Sequence, residues 1–268
     1  NKVESRPDCS PEAFVSILKN KKIWLSASNN MNDYSEGTWL LKILEDVLAV
    51  DVNPMNVDGR KKILQVFNAN RDNEYISCFS KEPDLLSQWR AYAQNGEGVA
   101  IGFDEEILSL DFEFSSSIIR VQEIKYLDRN KSINLILEKL EKNNIHLGTE
   151  KENVSQDMLV TLGMELSLLA SSVKNHAFEE ESEKRIIHTP RIYYIDNDIK
   201  IEKAINSMQH RVSNGFLTSY FELQFKPEAI VDVFLGPRNK FSQHDIDSFF
   251  SMNQLGRTKT YRSAATYR

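Results

Sequence analysis

Phe178-Glu179-Glu180-Glu181-Ser182-Glu183-Lys184-Arg185-Ile186-Ile187 concentrates charge and then turns apolar. Upstream of it, Met158, Leu162, Leu166, Leu169, Val173 and Ala177 recur at helical spacing, which predicts a helix over 158–177 running into the acidic cluster. If residues 181–187 are extended, a period of two sets Glu181, Glu183 and Arg185 on one face. Two carboxylates and a guanidinium at a sheet edge can form a site. They can equally be a solvated strand face with a salt bridge, and the charges alone leave both readings open.

Working outward, strand signals lie on both sides of this stretch. Toward the N-terminus they cover 22–26, 74–79, 98–103 and 118–126; toward the C-terminus, 192–195, 217–225, 229–235 and 259–262. Helical patterns fill 11–20, 39–48, 60–67, 85–94, 132–142 and 243–252. In 217–225, Leu217, Phe221, Leu223 and Phe225 alternate with Thr218, Tyr220, Glu222 and Gln224, predicting one buried and one solvated or grooved face. Strands at both ends with helices gathered in the middle argue for an α+β fold. The expectation is a single domain over 1–268 with a helical insertion at about 129–178. Neither a Gly-x-Gly-x-x-Gly turn nor a phosphate-loop pattern is present.

Composition narrows the classes. The net charge of −6 and pI near 5.5 give no global basic field for nucleic acid. Cys9 and Cys78 fit neither a disulfide framework nor a thiolate zinc site, and the five scattered histidines predict no dedicated metal centre. No apolar run is long enough for a membrane span, and no signal-peptide pattern opens the sequence. The expectation is therefore a cytoplasmic protein without a membrane partner.

Four further segments combine turn chemistry with polar side chains. Trp24-Leu25-Ser26 precedes Asn32, Asp33 and Glu36, which loop formation explains and which could also rim a pocket. Ser77-Cys78-Phe79-Ser80 precedes Trp89 and Tyr92, three residues apart on one helix face, as core or as a ligand platform. Gly96 to Phe103 places glycines around a short apolar strand, and Leu235-Gly236-Pro237-Arg238 is a turn after another.

In this order, with Glu181-x-Glu183-x-Arg185, the segments resemble a widespread bacterial family whose domain has no assigned activity. The resemblance spans about residues 10–262. Its members are small cytoplasmic proteins, some encoded near phage-defence and mobile elements. The family is in turn distantly similar to ADP-ribosyltransferases, which implies a split, strand-rich core that binds NAD as substrate. Carried over, Glu183 matches the catalytic glutamate and Glu181 the position that meets the acceptor, with Arg185 beside them. Ser77 and Ser80 match the cofactor-supporting serine strand, and Trp89 or Tyr92 could stack on the nicotinamide or adenine. One departure stands out: relatives carry an aromatic strand with a basic residue or histidine before the first helix. This chain has Glu4 to Ser10, with Arg6 as its sole candidate for that contact. The departure implies either a missing strand or a degenerate NAD site.

The resemblance therefore implies an NAD-dependent transferase or glycohydrolase acting in stress or phage defence. It would act on a protein or nucleic-acid acceptor and could be restrained by an inhibitory partner. Two alternatives stand beside it: a catalytically silent binding or regulatory module using the same cleft, and a divalent-metal nuclease built from Asp33, Glu36 and Glu181.

Overall fold

The computed structural model describes residues 4–30, 34–49, 57–108, 119–145, 154–195, 198–213 and 215–266. It is a mixed α+β structure with two principal sheets. The larger has six strands in the order Gln209–Ser213, Phe216–Gln224, Lys22–Ala27, Tyr75–Ser80, Glu183–His188, Ile119–Glu123, every neighbouring pair antiparallel. The smaller is centred on Val99–Asp104. Glu4–Ser5 and Asp8–Cys9 pair along one of its edges and Ile230–Leu235 along the other, with Lys259–Arg262 parallel beyond.

Strand alternation sorts the side chains of the six-stranded sheet. Ile23, Leu25, Tyr75, Phe79, Ile186, Phe221 and Leu223 share one face and are buried against Ile101, Phe103 and Val233 of the smaller sheet. Phe103 meets Phe79 and Phe225 edge to face, at centroid distances of 5.9 and 5.1 Å. The opposite face carries Arg211, Thr218, Trp24, Ser26, Cys78, Ser80, Glu183 and Arg185, linked strand to strand by register. The same face also buries Ile76 and Ile187, so it is polar only in part.

The N-terminal segment stitches the two sheets together. Arg6 and Ser80 exchange backbone hydrogen bonds of 2.8 Å in both directions. Pro7 lacks an N–H, yet its carbonyl accepts from Ile101 N, so the segment still docks on the smaller sheet. The Arg6 side chain forms a buried pair with Asp232, Nη2 to Oδ2 at 2.9 Å and Nε to Oδ1 at 3.3 Å. Gly102 makes this possible: a Cβ at that position would overlap the Asp232 carboxylate. Gly98 likewise lets the Cys9 carbonyl approach. Gly102→Ala is expected to push Asp232 off Arg6 and destabilise the fold by about 1–3 kcal/mol, measurable by urea denaturation. A stability equal to wild type would show that the pair does not depend on this close approach.

Four helices, Tyr34–Ala49, Val57–Asp72, Arg129–Lys142 and Gln156–Ala170, share a second core of Leu44, Ile63, Phe67, Ile136, Leu162 and Leu166. The last two of these helices, which fall in the expected insertion, thus share their core with two helices from nearer the N-terminus.

The expected helix over 158–177 is corrected. It ends at Ala170, and Val173–Asn175 becomes a short strand parallel to Lys125–Leu127, followed by a 3-10 turn over His176–Glu181. The chain leaves the helix after Ser171, whose hydroxyl bonds the buried Glu74, and the Ser172 carbonyl accepts from Lys125 N where the strand pairing begins. Val173 stays buried as a strand residue, whereas Ala177 is exposed. Glu181 consequently lies outside the strand, which begins at Glu183. The expected strand over 118–126 is broken at Ile124, whose N–H donates to the Glu183 carbonyl.

Candidate functional site

A cavity of about 300 Å³ opens on the polar face of the six-stranded sheet, where the N-terminal segment crosses it. This lies at the lower end of the range for small-molecule sites. Three groups of side chains define its chemistry.

The first surrounds Glu183, which opens its strand and is almost fully buried. Arg185, two residues on and so on the same face, grips its carboxylate with Nε at 2.6 Å and Nη2 at 3.0 Å. Lys174 approaches Glu183 to 3.1 Å and also pairs with Glu181. Burial alone would raise the Glu183 pKa. The Arg185 charge and hydrogen bonds, then Lys174 and the Cys78 thiol, overcome this and hold it at about 2. Glu183 is therefore an anion throughout the physiological range. Cys78 moves the other way, its thiol pushed well up by burial and by the Glu183 charge, so it is a neutral donor rather than a nucleophile.

Local backbone positions this group. Ser182 adopts the left-handed conformation, φ 45°, an uncommon choice for a residue with a Cβ. The reversal lets Glu181 and Glu183 converge on one lysine. The Ser80 hydroxyl fixes it by donating to the Glu181 carbonyl at 2.9 Å, and the Tyr126 hydroxyl accepts from Glu183 N at 2.7 Å.

The second group is Asp8, on the strand that crosses from the smaller sheet. Burial, and then the charge of Asp84, push its pKa up to about 7. Against the pull of burial, hydrogen bonds from Ser263, Trp89 and the backbone of Ala264 and Ala265 lower Asp84, so the two carboxylates divide into one neutral and one ionised at mildly acid pH. Because the folded-state value for Asp8 lies above the unfolded one, its contribution is fully present below about pH 4 and is lost as pH rises through about 7. Asp8→Asn is expected to stabilise the protein at pH 8 by on the order of 1 kcal/mol and to change little at pH 4–5. Melting temperatures at the two pH values check this; an equal effect at both would remove Asp8 as the titrating group.

The third group is Trp24, Tyr220 and Arg211. The Trp24 and Tyr220 rings lie 4.6 Å apart, and the Arg211 guanidinium sits 4.8 Å over Trp24.

Of the residues singled out in the sequence, Glu181, Glu183, Arg6, Ser77, Ser80 and Tyr92 all border this cavity, and Arg185 holds Glu183 from beside it. Ser77 has the strand parity of Tyr75 and Phe79, so Cys78 rather than Ser77 meets Glu183. Arg6 is committed to Asp232, and Ser80 to the Glu181 turn. Trp89 does not line the cavity: it is fully buried with Ala93 and Ala100, and its Nε1 donates to Asp84 at 2.7 Å. Asn32 and Asp33 lie outside the described residues, as does the side chain of Glu36. Among the described residues no group of three or more His, Cys, Asp or Glu is placed to hold a metal ion, and no helix is long and apolar enough to cross a membrane.

The sequence did not single out Asp8, Lys174 or Arg211, whereas Thr218 stands on the face expected to be solvated or grooved. Lys174 had a visible signal, a lone cation at the end of an apolar helical stripe. Arg211 lies in a polar segment with no periodicity.

Residues 88–186 match the family described as Protein of unknown function (DUF2971). The matched span includes Lys174, Glu181, Glu183 and Arg185 but neither Trp24 nor Arg211. No curated protein and no solved structure matches the chain.

Proposed function

We propose that the cavity binds NAD and that the protein is an ADP-ribosyltransferase-like enzyme, cleaving the nicotinamide–ribose bond and passing the ADP-ribosyl group to water or to a macromolecular acceptor. The observation that carries this reading is Glu183: a carboxylate held ionised at a cavity wall by Arg185 and Lys174. As the glycosidic bond breaks, its electron pair leaves with nicotinamide and positive charge builds on the ribose. A fixed anion beside that ribose is already oriented for the charge before it forms. In this reading Glu181, joined to the same lysine, receives the proton that the acceptor loses on attack. Such an activity, directed at a cellular protein or nucleic acid, accords with a role in stress or phage defence and with control by an inhibitory partner.

One observation favours a second reading, a ligand-binding module without turnover. Arg185 makes two hydrogen bonds to Glu183, and Lys174 and Cys78 add further contacts, so much of the carboxylate's accepting capacity is already used. Nicotinamide release from NAD, followed with and without cell extract, separates the two. Protein-dependent release supports the enzyme. Saturable NAD binding without release in any extract supports the module, and neither binding nor release would reject both.

A further inference from the structure

We infer that Arg211 is the anchor for a phosphate or diphosphate group, seated at the opposite end of the cavity from Glu183. This deepens the proposed function, since it rests on the cavity being a ligand site, but it does not depend on catalysis.

Every other cation described at the cavity has an acidic partner: Arg6 has Asp232, and Lys174 has Glu181 and Glu183. Arg211 has none among the described residues, in a chain whose acids outnumber its lysines and arginines. Its Nη2 donates to Ser26 Oγ at 3.0 Å, whereas its Nε is shut off from water and has no acceptor. A half-buried guanidinium without a counter-charge is costly, and the cost falls once an anion arrives. The rest of the side chain is fixed in place. It is stacked on Trp24 and lies 6.0 Å from the Tyr220 ring, so little conformational freedom remains to be lost on binding.

The surroundings favour phosphate. Ser26, which accepts from Arg211, and Ser213, two residues on from Arg211 along the strand, also line the cavity and carry hydroxyl groups beside the guanidinium. A planar guanidinium plus these hydroxyls matches a group with three or more acceptor oxygens better than one with two. Trp24, beside it, offers a flat apolar surface to whatever the phosphate is attached to. The ligand class is thus a phosphate ester or diphosphate carrying a ring, as in a nucleotide.

The test uses ADP and inorganic pyrophosphate, with adenosine as the uncharged control, by calorimetry and thermal shift on wild type and Arg211→Met. ADP and pyrophosphate should both bind and raise the melting temperature, adenosine should bind at least tenfold more weakly than ADP, and Arg211→Met should lose about tenfold or more in ADP affinity. Equal binding of adenosine and ADP, unchanged ADP affinity in the variant, or no ADP binding at all would overturn the inference. A second readout needs no folded variant: in wild type, the Arg211 Nε–H resonance should shift on adding ADP, and a stationary resonance at saturation counts against the site. ADP binding without nicotinamide release from NAD would leave the anchor standing and remove the catalytic reading. Undiminished NAD cleavage by Arg211→Met would remove the anchor alone.

Discussion

Glu183→Gln is expected to lower nicotinamide release from NAD by roughly 10²-fold or more, the usual effect of losing one preorganised electrostatic contact. A solvated strand-face salt bridge, one of the two readings that the charges leave open, would make this change nearly neutral for stability. The structure removes that assumption. Glu183 is buried between Arg185 and Lys174, so neutralising it removes a carboxylate from beside two largely buried cations. A cost of about 3 kcal/mol follows, and turnover must be normalised to folded protein. The pH dependence has the same origin. A folded pKa of about 2 against an unfolded value near 4.5 means that the stabilisation from Glu183 is complete above about pH 4.5 and is lost as pH falls toward 2. Acid denaturation of wild type and Glu183→Gln should therefore converge at low pH. Parallel curves over that range would assign the acid sensitivity elsewhere.

Glu74→Ala is expected to produce the largest loss of stability, about 3–5 kcal/mol, and a fall in melting temperature of ten degrees or more. Glu74 is fully buried where the last turn of the Val57–Asp72 helix meets the sheet. It accepts from Arg120 Nη2 at 3.0 Å and from Ser171 Oγ at 2.6 Å, with Arg71 at 3.9 Å. One carboxylate thus joins the outer strand of the six-stranded sheet, the end of the Gln156–Ala170 helix and its own helix–strand corner. Removing it strands these donors away from water. Guanidinium denaturation checks the value. A loss below 1 kcal/mol would mean that the donors relax to solvent and that the helical and sheet cores are joined by other contacts.

Much of the fold was legible where a periodic pattern and a terminator coincided. Ser10-Pro11 caps and starts the first helix, with Ser10 Oγ accepting from Ala13 N, as its chemistry requires. The apolar strands at 22–26, 74–79 and 229–235 were visible because one face is buried against the second sheet. The end of the 158–177 helix was not legible, because the stripe continues through Val173 and Ala177. Beyond the helix the chain pairs with Lys125–Leu127, a tertiary contact with a segment distant in sequence. The site was half legible for the same reason. Glu183 and Arg185 announce themselves by their spacing of two, whereas Glu181 reaches the same lysine through the turn at Ser182. Arg211, by contrast, is brought to the cavity by a strand without apolar alternation, and nothing local distinguishes it from an exposed arginine. Trp89 shows the converse error: an aromatic at helical spacing near a serine strand is here core, its indole N–H satisfied by Asp84.

The most direct measurement is a crystal structure of the wild-type protein with an NAD analogue whose nicotinamide ribose is replaced by a carbocycle, so that it binds but cannot be cleaved. The analogue should occupy the cavity bordered by Trp24, Tyr92 and Lys174, with a ring hydroxyl within hydrogen-bond reach of Glu183 and the diphosphate against Arg211. An analogue bound on another surface, or seated in the cavity with its nicotinamide end away from Glu183, would contradict the proposed function.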